Sequence, residues 1–110
     1  MSDRPVLYHM PQTRGGTTLW MSEELGDVCT VKLVNLKKGE GRTQEFLKLN
    51  PMGKVPTLTH KGVIVTETAA ICAYLADQFP EKGLAPAPDE PRRGVYYRWM
   101  FFAPSCIEPM

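Results

Sequence analysis

The sequence has little of what disulfide or metal chemistry needs. Its three cysteines, Cys29, Cys72 and Cys106, are odd in number and far apart, and no C-x-x-C occurs. This pattern argues against a disulfide framework, a zinc knuckle or a dithiol redox site. The two histidines, His9 and His60, lack the spacing of metal ligands, so we expect no metal site. We interpret His9 as a hydrogen-bonded strand-end residue rather than as a base.

Long apolar runs and an excess of one charge are also missing. The formal net charge of the 110 residues is +1, which does not indicate binding to nucleic acid or to an anionic membrane. No apolar run has the length needed to cross a bilayer. The first four residues, MSDR, lead directly into a strand pattern without the features of a signal peptide. We therefore expect a cytoplasmic globular protein.

Apolar periodicity and turn signals predict seven elements in the order strand, helix, strand, helix, strand, strand, helix. The predicted strands cover residues 6–10, 30–34, 57–59 and 63–65, and the predicted helices cover residues 17–25, 43–49 and 67–78. The first strand-helix-strand unit implies a parallel pair, and the short turn between the last two strands implies an antiparallel hairpin. The sequence therefore predicts an α/β fold with a mixed sheet flanked by helices.

The C-terminal part of the chain differs in composition. Residues 81–91 are rich in proline and charge and are predicted to be a linker. Residues 92–110 are predicted to be helical at first, and they contain half of the ten aromatic residues of the chain. The helix could fold back onto the first domain. We favour instead that it opens a second, helical domain or forms a partner interface, because one helix cannot bury so much apolar surface on itself.

Three stretches together resemble a known family. Residues 50–58 read NPMGKVPTL, residues 66–71 read TETAAI, and residues 20–26 read WMSEELG. This combination resembles the cytosolic glutathione S-transferases, in particular bacterial-type members, over about residues 5–79. The resemblance implies a thioredoxin-like βαβαββα domain over residues 1–80, then the linker, then the first helix of an all-α C-terminal domain. We expect that domain to be incomplete and the chain to be a portion of a longer protein.

The resemblance gives the V-P pair of the first stretch a role in binding glutathione. It implies that the bond between Val55 and Pro56 is cis, an isomer that costs little only before proline. The backbone N–H and C=O groups of Val55 would then pair with the cysteinyl part of glutathione, as an added strand pairs with a sheet edge. Lys54, beside them, is a further expected binding residue.

The second stretch has two interpretations. The resemblance implies that Thr68, at a helix start, binds the γ-glutamyl carboxylate of glutathione and that Glu67 pairs with its ammonium group. The alternative is plain helix capping, with Thr66 as the N-cap and Glu67 complementing the helix dipole. We favour the binding role and expect capping to contribute.

The catalytic residue is harder to assign. The family lowers the pKa of the glutathione thiol with a hydroxyl or thiol donor near the end of the first strand and with the N-terminus of the first helix. Here Gly15 and Arg14 occupy the positions of the usual serine and cysteine. The remaining hydroxyl candidates are, in order of preference, Thr13, Tyr8 and Thr17.

The resemblance implies a glutathione S-transferase that uses glutathione as a co-substrate and no other cofactor. The reaction would be attack of the glutathione thiolate on a small electrophilic or disulfide substrate, and the full-length protein would be a homodimer. The alternative is a non-enzymatic module of the same fold that serves protein-protein assembly. A thioredoxin-like redox protein is disfavoured because C-x-x-C is missing.

Overall fold

A computed structural model of the chain describes residues 4–13 and 15–108, which form a mixed sheet with helices on both faces. The strands are β1 (Val6–His9), β2 (Thr30–Leu33), β3 (Thr57–His60) and β4 (Val63–Thr66), and the helices are α1 (Gly15–Glu24), α2 (Gln44–Leu49), α3 (Thr68–Gln78) and α4 (Arg92–Phe102). The strand order is β2-β1-β3-β4. Strands β1 and β2 are parallel, and the other neighbours are antiparallel. The α/β class, the thioredoxin-like order of elements and the mixed sheet are confirmed.

The core lies between the sheet and the helices α1 and α3. Leu7 and Leu58 are direct neighbours on β1 and β3, and Ile71 and Leu75, one turn apart on α3, cover them. All four side chains are fully buried, and each such burial stabilises the fold by about 1.5–3 kcal/mol. These contacts fix α3, and therefore its N-terminus, against the end of the central strands.

Helix α2 covers the opposite face of the sheet. Successive side chains of a strand point to opposite faces, so Tyr8 points away from the core that holds Leu7. The Tyr8 ring meets the ring of Phe46 in α2 edge to face, with 5.8 Å between the centroids. The segment before α2, predicted as a loop over residues 37–42, instead contains two 3-10 turns, Leu36–Lys38 and Glu40–Arg42.

The three predicted helix starts are each wrong by one or two residues, and α2 begins at Gln44 because Thr43 is its N-cap. Helix α1 begins at Gly15 rather than at Thr17, and the Gly16 N–H donates to the Thr13 carbonyl at 3.1 Å. The low helix propensity of glycine favours a loop at this pair, and the helix nevertheless includes it. Thr66 was expected to cap α3, but it pairs with Thr57 as the last residue of β4. The next residue, Glu67, occupies the N-cap position instead, so α3 begins at Thr68.

The start of α4 is attached to the first domain by an ion pair. Arg93, which is buried, donates to both carboxylate oxygens of Asp77 at 2.9 and 2.8 Å and to the Pro86 carbonyl at 2.7 Å. Beyond α4 the chain makes one π-helical turn, Ala103–Ile107. Tyr97, Trp99 and Phe101 remain exposed, and the assignment of residues 92–110 to a second domain stays a prediction.

In the part of the chain that the structure describes, no helix combines the length and the apolar character needed to cross a membrane. Among the same described residues, the histidine, cysteine, aspartate and glutamate side chains form no group of three or more that could hold a metal ion.

Candidate functional site

A cavity of about 770 Å³ lies between the ends of the central strands and helix α4. Its walls come from the loop before β3, from the start of α3 and from one face of α4. The five residues expected to bind glutathione all line it, and they are Lys54, Val55, Pro56, Glu67 and Thr68. The structure therefore brings together two stretches, 50–58 and 66–71, that are separated by the seven residues 59–65 in the sequence.

The loop before β3 contributes the first wall. The peptide bond between Val55 and Pro56 is cis, as the resemblance implied. Val55 is half-buried at the cavity, and Lys54 is exposed beside it. The backbone of Val55 and the side chain of Lys54 can thus contact the same ligand.

Glu67 has an unusual backbone at the start of α3. Its φ and ψ angles are 75° and 126°, and its side chain makes no capping hydrogen bond. Positive φ at a residue other than glycine costs about 1–3 kcal/mol and is most common at functional sites. Glu67 is thus the N-cap residue of α3 by position, without a capping bond from its side chain, and its expected favourable interaction with the helix dipole stays a prediction. Its carboxylate is exposed at the cavity instead.

Thr68 places a hydroxyl group at the first turn of α3. The first N–H groups of a helix have no partner within the helix, and the helix dipole gives this end a partial positive charge. Thr68 is half-buried at the cavity wall. An acidic side chain and an anion-binding helix end therefore lie side by side, which suits a ligand end that carries both an ammonium and a carboxylate group.

The three catalytic candidates are not among the residues that line this cavity. Thr13 is half-buried, and its hydroxyl donates to the Met10 carbonyl at 2.6 Å. Thr17 is exposed in the first turn of α1. Tyr8 packs on the α2 face of the sheet, as described above. Arg14, which occupies the position of the usual cysteine, lies outside the described residues.

One wall of the cavity was missed by the sequence analysis. Helix α4 and the turn after it present Tyr97, Met100, Phe101 and Pro104 to the cavity. These positions have the spacing i, i+3, i+4 and i+7, which marks one face of a helix. That spacing was available in the sequence, but it does not say that the face turns toward the start of α3. Tyr96 lines the cavity too, and burial raises the pKa of its hydroxyl.

A four-stranded mixed sheet with a cis-proline loop beside a helix that starts at a glutamate is typical of a thioredoxin-like domain. The sequence profile of the glutathione S-transferase N-terminal domain matches residues 6–77. The chain therefore belongs to the glutathione S-transferase family.

Individual relatives agree with this assignment. Glutathione S-transferase 1 of Dianthus caryophyllus is 43% identical over 79 residues, which are 72% of this chain and 35% of that protein. Protein LigF of Sphingobium sp. is 47% identical over 71 residues, which are 61% of this chain and 28% of that protein. The chain thus spans about one third of the length of these curated relatives.

Solved structures give the same picture. A glutathione transferase homologue from Sulfitobacter, with bound glutathione, superposes with a TM-score of 0.79 at 27% identity, covering 94% of this chain and 50% of that one. An epsilon-class glutathione S-transferase from the housefly, Musca domestica, gives a TM-score of 0.82 at 30% identity, covering 96% of this chain and 49% of that one. These matches extend past residue 77, so α4 takes part in the shared fold.

Proposed function

We propose that this chain is the glutathione-binding portion of a glutathione transferase, and that it binds reduced glutathione in the cavity beside α3. The observation that carries the proposal is the shared position of Val55, Glu67 and Thr68 on one cavity. The Val55 backbone would pair with the cysteinyl unit, and Glu67 and Thr68 would bind the zwitterionic γ-glutamyl end. Lys54 would attract the glycyl carboxylate.

The backbone of Glu67 supports this assignment independently. Its carboxylate makes no capping bond, and its φ of 75° is unfavourable for an L-residue. A glutamate that only capped a helix would have no reason to keep such a conformation. A glutamate that must aim its carboxylate at a bound ammonium group has one. The glutathione present in the Sulfitobacter homologue is consistent with the same ligand.

We propose Thr13 as the group that donates to the glutathione sulfur, with Tyr8 and Thr17 as the other candidates. The Thr13 hydroxyl donates to the Met10 carbonyl, and rotation about its Cβ–Oγ bond would redirect the hydrogen toward the sulfur. The helix α1 starts two residues later, so its positive end would also lower the thiol pKa. The variants Thr13→Val, Thr17→Val and Tyr8→Phe test this by the ultraviolet difference absorbance of bound thiolate. The variant that lacks the donor will bind glutathione without that signal.

The reaction, assembly and location of the whole protein are also proposals. The thiolate would attack a small electrophilic or disulfide substrate, and the full-length protein would form a homodimer. Exposed apolar side chains on α4, including Trp99 and Phe101, support self-association. The three free cysteines fit a reducing compartment such as the cytoplasm. Sedimentation equilibrium of the full-length protein tests this proposal, and a monomer at high protein concentration would contradict the homodimer.

The same exposed face favours a second candidate function, a glutathione-transferase-like module for protein-protein assembly. Such a module would keep the fold and would not need the ligand. Binding of glutathione by the folded chain therefore distinguishes the glutathione transferase from the assembly module.

Isothermal titration of the chain with reduced glutathione tests the first proposal. We expect saturable binding that Glu67→Gln weakens about tenfold or more, because a charge-assisted hydrogen bond is worth roughly 1.5–3 kcal/mol. Glu45→Gln is the matched control, since Glu45 is also exposed at a helix start but lies in α2. Absence of binding by the folded wild-type chain, or equal affinity of the two variants, would refute the glutathione site.

A further inference from the structure

Thr57 lies between the two binding elements. It is the first residue of β3 and is fully buried. On one side its backbone pairs with Thr66, which directly precedes Glu67 and Thr68, and on the other side it pairs with Tyr8. The strand pairing therefore joins Thr57 to the residue just before α3, and it fixes the position of Thr57 relative to the start of that helix.

The Thr57 side chain reaches back to the loop that carries Val55. Its hydroxyl donates to the Lys54 carbonyl at 2.9 Å. The Asn50 amide, on a residue only 4% exposed, donates to the same carbonyl at 3.0 Å and to the Thr57 hydroxyl at 3.2 Å. The Asn50 amide, the Thr57 hydroxyl and the carbonyl of the Lys54–Val55 peptide are thus each hydrogen-bonded to the other two and form a closed triangle.

The remaining polar atoms of Asn50 hold the turn itself. Its side-chain oxygen accepts from the Met52 N–H at 3.0 Å, and its backbone carbonyl accepts from the Gly53 N–H at 2.8 Å. Both hydrogens and the oxygen of the buried amide are therefore used. Fully satisfied buried networks of this kind hold a single local geometry.

We propose that Asn50 and Thr57 are positioning residues that set the distance and orientation of the Val55 backbone edge relative to Glu67 and Thr68. The inference rests on the proposed function, since those three residues are the proposed contacts of glutathione. Neither Asn50 nor Thr57 needs to touch the ligand through its own hydroxyl or amide hydrogens. They act through the Lys54 carbonyl, which fixes the peptide plane that also contains the Val55 N–H.

The variant Thr57→Val tests this because it keeps the shape of the side chain and removes the hydroxyl. The change removes the bond to the Lys54 carbonyl and the acceptor of one Asn50 amide hydrogen. We expect glutathione to bind about three- to tenfold more weakly, which corresponds to the net contribution of a typical neutral hydrogen bond. Thr57→Ser keeps the hydroxyl and should restore the wild-type affinity. Thr59→Val makes the same change on the same strand, farther from the loop, and should leave the affinity within about twofold. A role in stability alone predicts lower melting temperature with unchanged affinity at temperatures where each variant is folded.

Backbone ¹⁵N relaxation of the ligand-free chain supplies a second readout. If the triangle holds the loop, Thr57→Val will lower the order parameters of Gly53, Lys54 and Val55, and Thr59→Val will not. Unchanged order parameters, or weaker binding that Thr57→Ser fails to rescue, would overturn the inference. If Thr57→Val does not fold, Asn50→Ala removes one corner of the same triangle, and with it two of the three hydrogen bonds, and is judged by the same measurements.

The two readouts separate this inference from the proposed function. If the wild-type chain does not bind glutathione, the proposed function fails. The positioning role for that ligand then fails too, even if Thr57→Val lowers the order parameters of the loop. If wild type binds and Glu67→Gln weakens binding while Thr57→Val changes neither affinity nor relaxation, the proposed function stands and only the positioning role fails.

Discussion

The backbones of Gly41 and Gly53 are in contact beside the candidate site, and this contact allows the effect of a single added methyl group to be predicted. A methyl carbon added to Gly41 would lie 2.7 Å from the Gly53 carbonyl oxygen and 2.7 Å from Cδ2 of Leu36. Gly53 directly precedes Lys54, so this contact supports the loop that carries the Val55 edge. We therefore expect Gly41→Ala to destabilise the fold and to disturb that loop.

The size of the effect follows from the geometry. An ordinary carbon-oxygen contact is about 3.3 Å, so the two backbone segments must separate by roughly 0.6 Å. Overpacking of this kind costs about 1–3 kcal/mol. Replacing glycine by alanine also lowers the entropy of the unfolded chain, which stabilises by about 0.4–1 kcal/mol. The steric term is larger, so we expect a net loss of about 1–2 kcal/mol, or roughly 4–16 °C in melting temperature for a domain of this size.

Urea denaturation and isothermal titration with glutathione measure the two consequences. Gly94→Ala is the matched control, because Gly94 lies within α4 and its added methyl group would have no atom within 4 Å. That variant should be more stable than wild type by about 0.5–1 kcal/mol, since alanine is the better helix former. Gly41→Ala should also bind glutathione more weakly. Equal or greater stability of Gly41→Ala would refute the steric argument.

Three further predictions concern single side chains. Burial raises the pKa of the Cys72 thiol to about 11, whereas Cys106 is exposed, so at pH 8 a thiol reagent should modify Cys106 at least about tenfold faster, as peptide mapping would show. Burial lowers the pKa of His9 below its usual 6.5. The unfolded chain then takes up the proton first, so His9 contributes stability above about pH 6.5 that is lost as the pH falls toward its folded-state pKa; His9→Gln should lose less melting temperature than wild type between pH 7.5 and 5. Asp77→Ala removes the carboxylate that pairs with the buried Arg93, whereas Glu90→Ala removes the partner of the exposed Arg92. The first variant should therefore lower the melting temperature more than the second.

Most of the fold could be predicted because its signals are local. The apolar runs around Leu7 and Leu58 and the turn at Gly62 specify strands and a hairpin without knowledge of the rest of the chain. The errors fell where tertiary contacts decide. Gly15 enters a helix against its propensity because the turn is closed by Thr13, and Thr66 stays in the sheet because Thr57 pairs with it.

The site could be predicted only in part, for a physical reason. A motif such as NPMGKVPTL identifies a loop, but its spacing does not say which distant element faces that loop. The resemblance supplied the connection between Val55 and Glu67. It did not reveal that α4 forms a wall of the cavity, because the ion pair that joins α4 to α3 connects Asp77 and Arg93, and no local pattern in the sequence pairs these two residues. It also did not distinguish the catalytic hydroxyl, since Thr13, Tyr8 and Thr17 lie close together in sequence and on different faces in space.

The arrangement has a consequence for how the two motifs depend on each other. A ligand held at Val55 and at Thr68 is bound at two points, and the second contact is favourable only if the spacing of the two points matches the ligand. Both points are tied to one strand, because Thr57 bonds to the Lys54 carbonyl and pairs with Thr66. Variants in the Asn50–Thr57 triangle and at Glu67 should therefore be non-additive in glutathione affinity, since a displaced Val55 edge removes part of what Glu67 contributes. Strict additivity of Thr57→Val and Glu67→Gln would mean that the two motifs bind independently.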